Sequence, residues 1–130
     1  MSLNSLISYI SNSQIITELV KRIKKDNELN VIGSSRYAKS IILNSIAKKE
    51  NKDILLISPN EEIAFKWYGY FDSISSKNVL YYPPNINLPY APINKSKENE
   101  YSQLSVISKL INDEKKDINI IITTERALQP

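Results

Sequence analysis

The chain has 130 residues, 42% hydrophobic and 24% charged, and its 17 basic and 14 acidic side chains leave a net charge of +3. That length suits one domain burying roughly two-thirds of its unfolded surface, and no run approaches the roughly 20 apolar residues of a membrane helix. With no cysteine and no histidine, disulfide frameworks, thiolate zinc sites, imidazole acid–base catalysis and Ser-His triads are removed from this chain.

The opening MSLNSLISYISNS has neither a basic n-region nor a continuous apolar core, so it does not read as a signal peptide and a cytoplasmic location is expected. Two short amphipathic helices come first. Leu3, Leu6, Ile7 and Ile10 share one face, then Ile15, Ile16, Leu19, Val20 and Ile23 share another, and Asp26-Asn27 ends the second. Residues 1–26 are therefore taken as an N-terminal helical segment and 27–130 as an α/β domain.

Within that domain strand and helix patterns alternate. Residues 29–32 (LNVI) read as a strand, and 38–48 as a helix burying Ala38, Ile41, Ile42, Ser45 and Ile46. The run 54–57 is continuously apolar, as a parallel strand buried on both faces requires. Ser58-Pro59-Asn60-Glu61 then predicts a helix start: Ser58 caps, Pro59 takes the first position and Glu61 completes a capping box. Ile63, Ala64, Trp67, Tyr68 and Phe71 form its inner stripe. A third strand is predicted at 79–81, followed by a Pro-rich connection over 83–92 and a helix near 98–112 with Tyr101, Leu104, Ile107, Leu110 and Ile111 on its apolar side. The fourth strand covers 118–123. This order implies a parallel sheet of about four strands with right-handed crossovers and helices on both faces. Thr123-Thr124 closes a strand at the sheet edge that usually carries function, and a chain halting six residues later reads as part of a longer one.

The segment LNVIGSSRYAKS has nearly the layout of a phosphate-binding loop, G-x-x-x-x-G-K-[ST]. Gly33, Lys39 and Ser40 are correctly spaced, but Ala38 stands where the second glycine belongs. A Cβ at a left-handed position costs roughly 1–2 kcal/mol, so Ala38 counts against a working loop. Ser40 could still ligate Mg²⁺. A hydrolase also needs a strand ending in an acidic residue to hold the metal, whereas the relevant strands end Ile57-Ser58-Pro59 and Thr123-Thr124-Glu125. The alternatives are a plain strand-to-helix turn capped by Ser34 or Ser35, weak anion or nucleotide binding, and catalysis.

The lysines are scattered and lie mainly near helix C-terminal ends, where cations suit the dipole, and arginine occurs only at 22, 36 and 126. A solvated surface is favoured over a phosphate-contacting patch. Trp67, Tyr68, Tyr70 and Phe71 sit at helical spacing, which favours core packing over a base-stacking platform. The stretch Tyr81-Tyr82-Pro83-Pro84 and Leu88-Pro89-Tyr90 reads either as a lid over the sheet or as a partner-binding surface.

The order NVIGSSRYAKS, DILLISPNEEIAFKW, VLYYPPNINLPYAPIN, EYSQLSVISKL and INIIITTERALQP resembles the N-terminal segment of the bacterial transcription-repair coupling factors (Mfd), which is similar to the first half of the helicase-like domain of the excision-repair protein UvrB. The most specific elements are Tyr82-Pro83 to Leu88-Pro89-Tyr90 and the terminal Thr123-Thr124-Glu125-Arg126-Ala127-Leu128. The resemblance implies a P-loop-NTPase-like (RecA-like) fold with a degenerate nucleotide site at Gly33, Lys39 and Ser40, and a non-catalytic module within a DNA-repair protein. It also implies that ATP and Mg²⁺ belong to a motor further along the parent protein, an ATP-dependent DNA translocase that displaces stalled RNA polymerase. RNA polymerase, UvrA and double-stranded DNA would be met through the full-length protein. No catalytic residue, metal ligand or cofactor is expected in this chain. The alternatives are a nucleotide-binding helicase half of a UvrB-type protein, for which retained Lys39 and Ser40 speak, and a free-standing nucleic-acid-binding α/β domain.

Overall fold

A computed structural model of the chain describes residues 3–74, 78–84, 93–112 and 118–129. Along the chain it comprises α1 (Leu3–Ser11), α2 (Gln14–Asp26), α3 (Arg36–Glu50), β1 (Ile54–Ser58), α4 (Glu61–Ile74), β2 (Val79–Tyr82), α5 (Ile93–Asn112), β3 (Ile120–Thr124) and a 3-10 turn at Arg126–Leu128. The protein is α/β. Its strands form one parallel sheet in the order β1-β3-β2, with Ile120 opposite Ile54 on one side and opposite Val79 on the other. Parallel neighbours cannot be joined by a tight turn, so a helix intervenes between successive strands.

The central strand is buried almost throughout, and the alternation of its side chains divides the molecule into layers. Ile120 and Ile122 meet Ala64 and Phe71 of α4 in the core, and Ile54, Leu56, Trp67, Tyr68, Val79 and Tyr81 pack around them. Ile121 and Thr123 line the opposite face together with Val106, Ile107 and Leu110 of α5. α1 and α2 pack on α3, which also contacts α4 and β1. Asn27 and Asn51 end α2 and α3 in the left-handed conformation, at φ 56° and 50°, where asparagine is better tolerated than most residues.

Four sequence expectations are corrected. Residues 29–32 join no strand, so among the described residues the sheet has three strands rather than four. The run is bracketed by left-handed Asn27 and Gly33, and it lies beside Leu56 and Trp67 without bonding into the β1 ladder. An apolar run beside an edge strand is thus not by itself a ladder, and Ile32 is left 90% exposed. The cap of α4 is Asn60, two residues later than expected: its Oδ1 accepts the Ile63 N–H at 2.9 Å. Ser58 is unavailable because it is the buried last residue of β1, and its Oγ donates to the Asn60 carbonyl at 3.1 Å.

The inward side of α5 is also displaced. Val106 is its buried apolar residue, while Leu104 and Ile111 are 59% and 75% exposed; the side chain of Tyr101 lies outside those described. Finally, α3 buries Ile41 and Ser45 as expected, but Ser40, Asn44 and Ala47 are its other buried residues, with Ala38, Ile42 and Ile46 only partly covered, because it is enclosed by neighbours on several sides at once.

Candidate phosphate-loop site

Gly33 makes the corner between 29–32 and α3 at φ +89°. A Cβ there would meet no atom within 4 Å, so the demand for glycine comes from backbone conformation alone. Ser35 is extended and caps α3, its Oγ accepting the Ala38 N–H at 3.2 Å. Of the two serines the sequence offered as caps, the second serves. The Oγ of Ser34 is buried without a hydrogen-bond partner among the described residues.

The helix consequently begins at Arg36, three residues before Lys39. A phosphate-binding loop works by holding successive backbone N–H groups in a concave nest, which requires alternation between right- and left-handed conformations. Here Gly33 is the only residue of 33–40 with positive φ. From Arg36 onward the backbone is helical, and the Lys39 N–H donates to the Ser35 carbonyl at 3.0 Å. The short turn at Gly33, Ser34 and Ser35 takes the place of the longer loop.

Ser40 is wholly buried, and its Oγ donates to the Tyr37 carbonyl at 2.6 Å. In this arrangement the hydroxyl is withdrawn from any ion at the loop mouth. Lys39 is half-buried and forms no ion pair among the described residues. It lines a largely apolar cavity of about 390 Å³ with Glu28, Leu29, Val31, Ile42, Leu56 and Trp67, to which neither Gly33 nor Ser40 contributes. The three residues at phosphate-loop spacing are thus a corner, a cavity-lining cation and a packed helix residue.

At the carboxyl end of the sheet, polar groups tie the chain to itself. Thr123 Oγ1 donates to the Tyr82 carbonyl at 3.0 Å, the Glu125 N–H to the Ser58 carbonyl at 3.0 Å, and Thr124 Oγ1 accepts the Ala127 N–H at 3.3 Å. No group of three or more acidic side chains that could hold a metal ion occurs among the described residues. The aromatic run is packed inward: Phe71 is fully buried, Trp67 stacks on it at 6.1 Å between centroids, and Tyr70 meets Tyr37 edge-on at 5.7 Å. Beyond β2, Pro84 is buried and the Pro83 carbonyl accepts from Gln103 Nε2 at 2.7 Å. Leu88-Pro89-Tyr90 lies outside the described residues.

Two residues escaped sequence reasoning. Asn44 is 0% exposed, with neither amide atom hydrogen-bonded among the described residues. The Tyr81 hydroxyl is buried and unpartnered among the described residues, and the Tyr81 and Phe65 ring centroids lie 5.0 Å apart. Burial, and secondarily the Glu61 carboxylate, hold this phenol above its ordinary pKa. The only sequence signal for Asn44 was a polar residue one step off a helical apolar stripe; Tyr81 was read as part of the Tyr-Tyr-Pro-Pro stretch, with nothing to mark its hydroxyl as buried. No protein-family model, curated protein or solved structure matches the chain.

Proposed function

We propose that this chain is the non-catalytic, UvrB-like N-terminal module of a transcription-repair coupling factor, a structural and interaction scaffold rather than a nucleotide hydrolase. The observation that carries the non-catalytic reading is the early start of α3 at Arg36, which converts the backbone of a would-be phosphate nest into helix. Burial of Ser40 supports it. The family reading rests on the motifs. The terminal Thr123-Thr124 pair closes the central strand and Arg126–Leu128 turns directly after it, a context that suits a fold-defining signature. On this reading the RecA-like fold is retained in degenerate form, and RNA polymerase, UvrA, DNA and the ATP-driven motor are matters for the parent protein. Lys39, half-buried and without an acidic partner among the described residues, is what favours the second reading, a UvrB-type nucleotide-binding half.

Calorimetric titration with Mg·ATP separates the two. The scaffold reading expects no saturable heat, and the same trace from Lys39→Ala. Saturable binding lost in that variant would overturn it in favour of the UvrB-type protein.

A further inference from the structure

Residues 29–32 run between two left-handed residues, Asn27 at φ 56° and Gly33 at φ 89°, and their backbone makes no hydrogen bond among the described residues. Leu29 and Val31 line the cavity of about 390 Å³ together with Leu56 of β1. β1 is itself an open edge of the sheet among the described residues. The Ile54 N–H donates to the Asn119 carbonyl at 2.9 Å, and the Ser58 carbonyl accepts the Glu125 N–H at 3.0 Å, so alternate residues of β1 from Ile54 turn their backbone toward β3. The N–H and C=O of Leu55 and Ile57 point outward, and their half-exposed side chains lie on the face opposite to that of Leu56. An unpaired extended segment thus runs beside an unpaired edge.

Topology and alternation both fit the two together. β1 passes to β2 through α4, which packs on the Leu56 face of the sheet. α3 contacts α4 and lines the cavity with Leu56 and Trp67, so it lies on that face as well. A strand at 29–32 on the free side of β1 reaches β1 through α3 in the direction in which β1 reaches β2 through α4. Both crossovers pass over the same face, so they share one hand, as parallel connections require. Leu29 and Val31 belong to the Leu56 face, and period two then sets Asn30 and Ile32 on the face of Leu55 and Ile57.

We propose that residues 29–32 are a hinged strap that closes on β1 as an intramolecular edge strand, and that the structure holds this strap in its open position. Closure turns at Asn27 and Gly33 and sets Asn30 opposite Leu55 and Ile32 opposite Ile57. The Leu55 N–H then donates to the Leu29 carbonyl and the Val31 N–H to the Leu55 carbonyl, in the parallel pattern. Ile32 leaves solvent for the side of Ile57, and the β1 edge is closed to pairing with other chains. The occupant is the segment tethered beside the edge at both ends, which holds it there at high effective concentration. Closure needs no charge pairing, although Glu28 and Lys39 both line the cavity. The strap stands apart from the family reading above, because it rests on the sheet edge, the crossover and the cavity.

The test is amide hydrogen exchange on the full chain, with Ile32→Asp and Val31→Pro as variants. In the parent chain the amides of Val31, Leu55 and Ile57 exchange about tenfold or more slowly than unpaired amides, equally at low and high protein concentration. Ile32→Asp alters a side chain that is 90% exposed in the open position and so leaves that position intact, but on closure it sets a carboxylate beside Ile57. It returns Leu55 and Ile57 to the unpaired rate while Ile120 and Ile122 stay protected. Val31→Pro lacks the N–H that the Leu55 carbonyl accepts and has the same effect. Unpaired rates at Leu55 and Ile57 in the parent chain overturn the proposal. So does protection that either variant leaves unchanged, or protection that disappears on dilution, the mark of a second copy on the edge.

Discussion

A carboxamide buried without hydrogen bonds loses its hydration and regains nothing, at a cost of about 1–3 kcal/mol. Asn44 is in that position, fully buried in α3 with both amide atoms unpartnered among the described residues. Replacing it with leucine, a side chain of similar reach, is expected to stabilise the fold by about 1–3 kcal/mol, read as a higher urea midpoint with an unchanged slope. Tyr81 sets a pH dependence. Its folded pKa lies above the unfolded value of 10.0, chiefly through burial and then through Glu61. The folded state therefore keeps this proton after the unfolded state has lost it. The stability it contributes is intact below about pH 10 and falls as the pH climbs through the folded pKa. Tyr81→Phe is expected to lose less stability than the parent between about pH 9 and pH 11, measured as the change in melting temperature.

At the scale of elements, ends are decided by hydrogen bonds and faces by neighbours. Asn60 supplies the side-chain acceptor at the start of α4, so Asn60→Ala is expected to cost about 0.5–2 kcal/mol in a thermal melt. The sequence pattern around Ser58, Pro59 and Asn60 announced a helix start clearly, yet it named Ser58, because nothing in the pattern says that β1 runs one residue further and takes Ser58 into the sheet. α5 carries the same lesson. Its apolar residues occupy more than one face, and periodicity alone does not reveal that Val106 meets the sheet while Leu104 and Ile111 stay in solvent. Residues 29–32 show the limit most plainly: an apolar run specifies willingness to extend, and does not say whether the segment bonds into the edge strand it lies beside.

Across the whole molecule, the α/β alternation was legible because strands are written as unbroken apolar runs, and INIIITT became the centre of the sheet as such a run should, whereas 54–57, read as buried on both faces, is an edge strand that leaves Leu55 and Ile57 exposed. The candidate site was legible only as spacing. Gly33, Lys39 and Ser40 fall at phosphate-loop intervals, but whether the backbone between them forms a nest or a helix turns on Ser35 capping early and Ala38 accepting helical geometry. A consensus match contains no measure of that competition.

The position of β3 bears on how the protein acquires its fold. β1 and β2 share no ladder with each other; among the described residues each is bonded to β3 alone, and β3 follows them both in the chain. During synthesis the first two strands emerge with nothing to pair with, and their apolar side chains wait through α4 and α5 for residues 120–124 to arrive. Sheet formation is thus deferred until β3 has been translated and is dominated by long-range closure, the regime of slow folding and exposed intermediates.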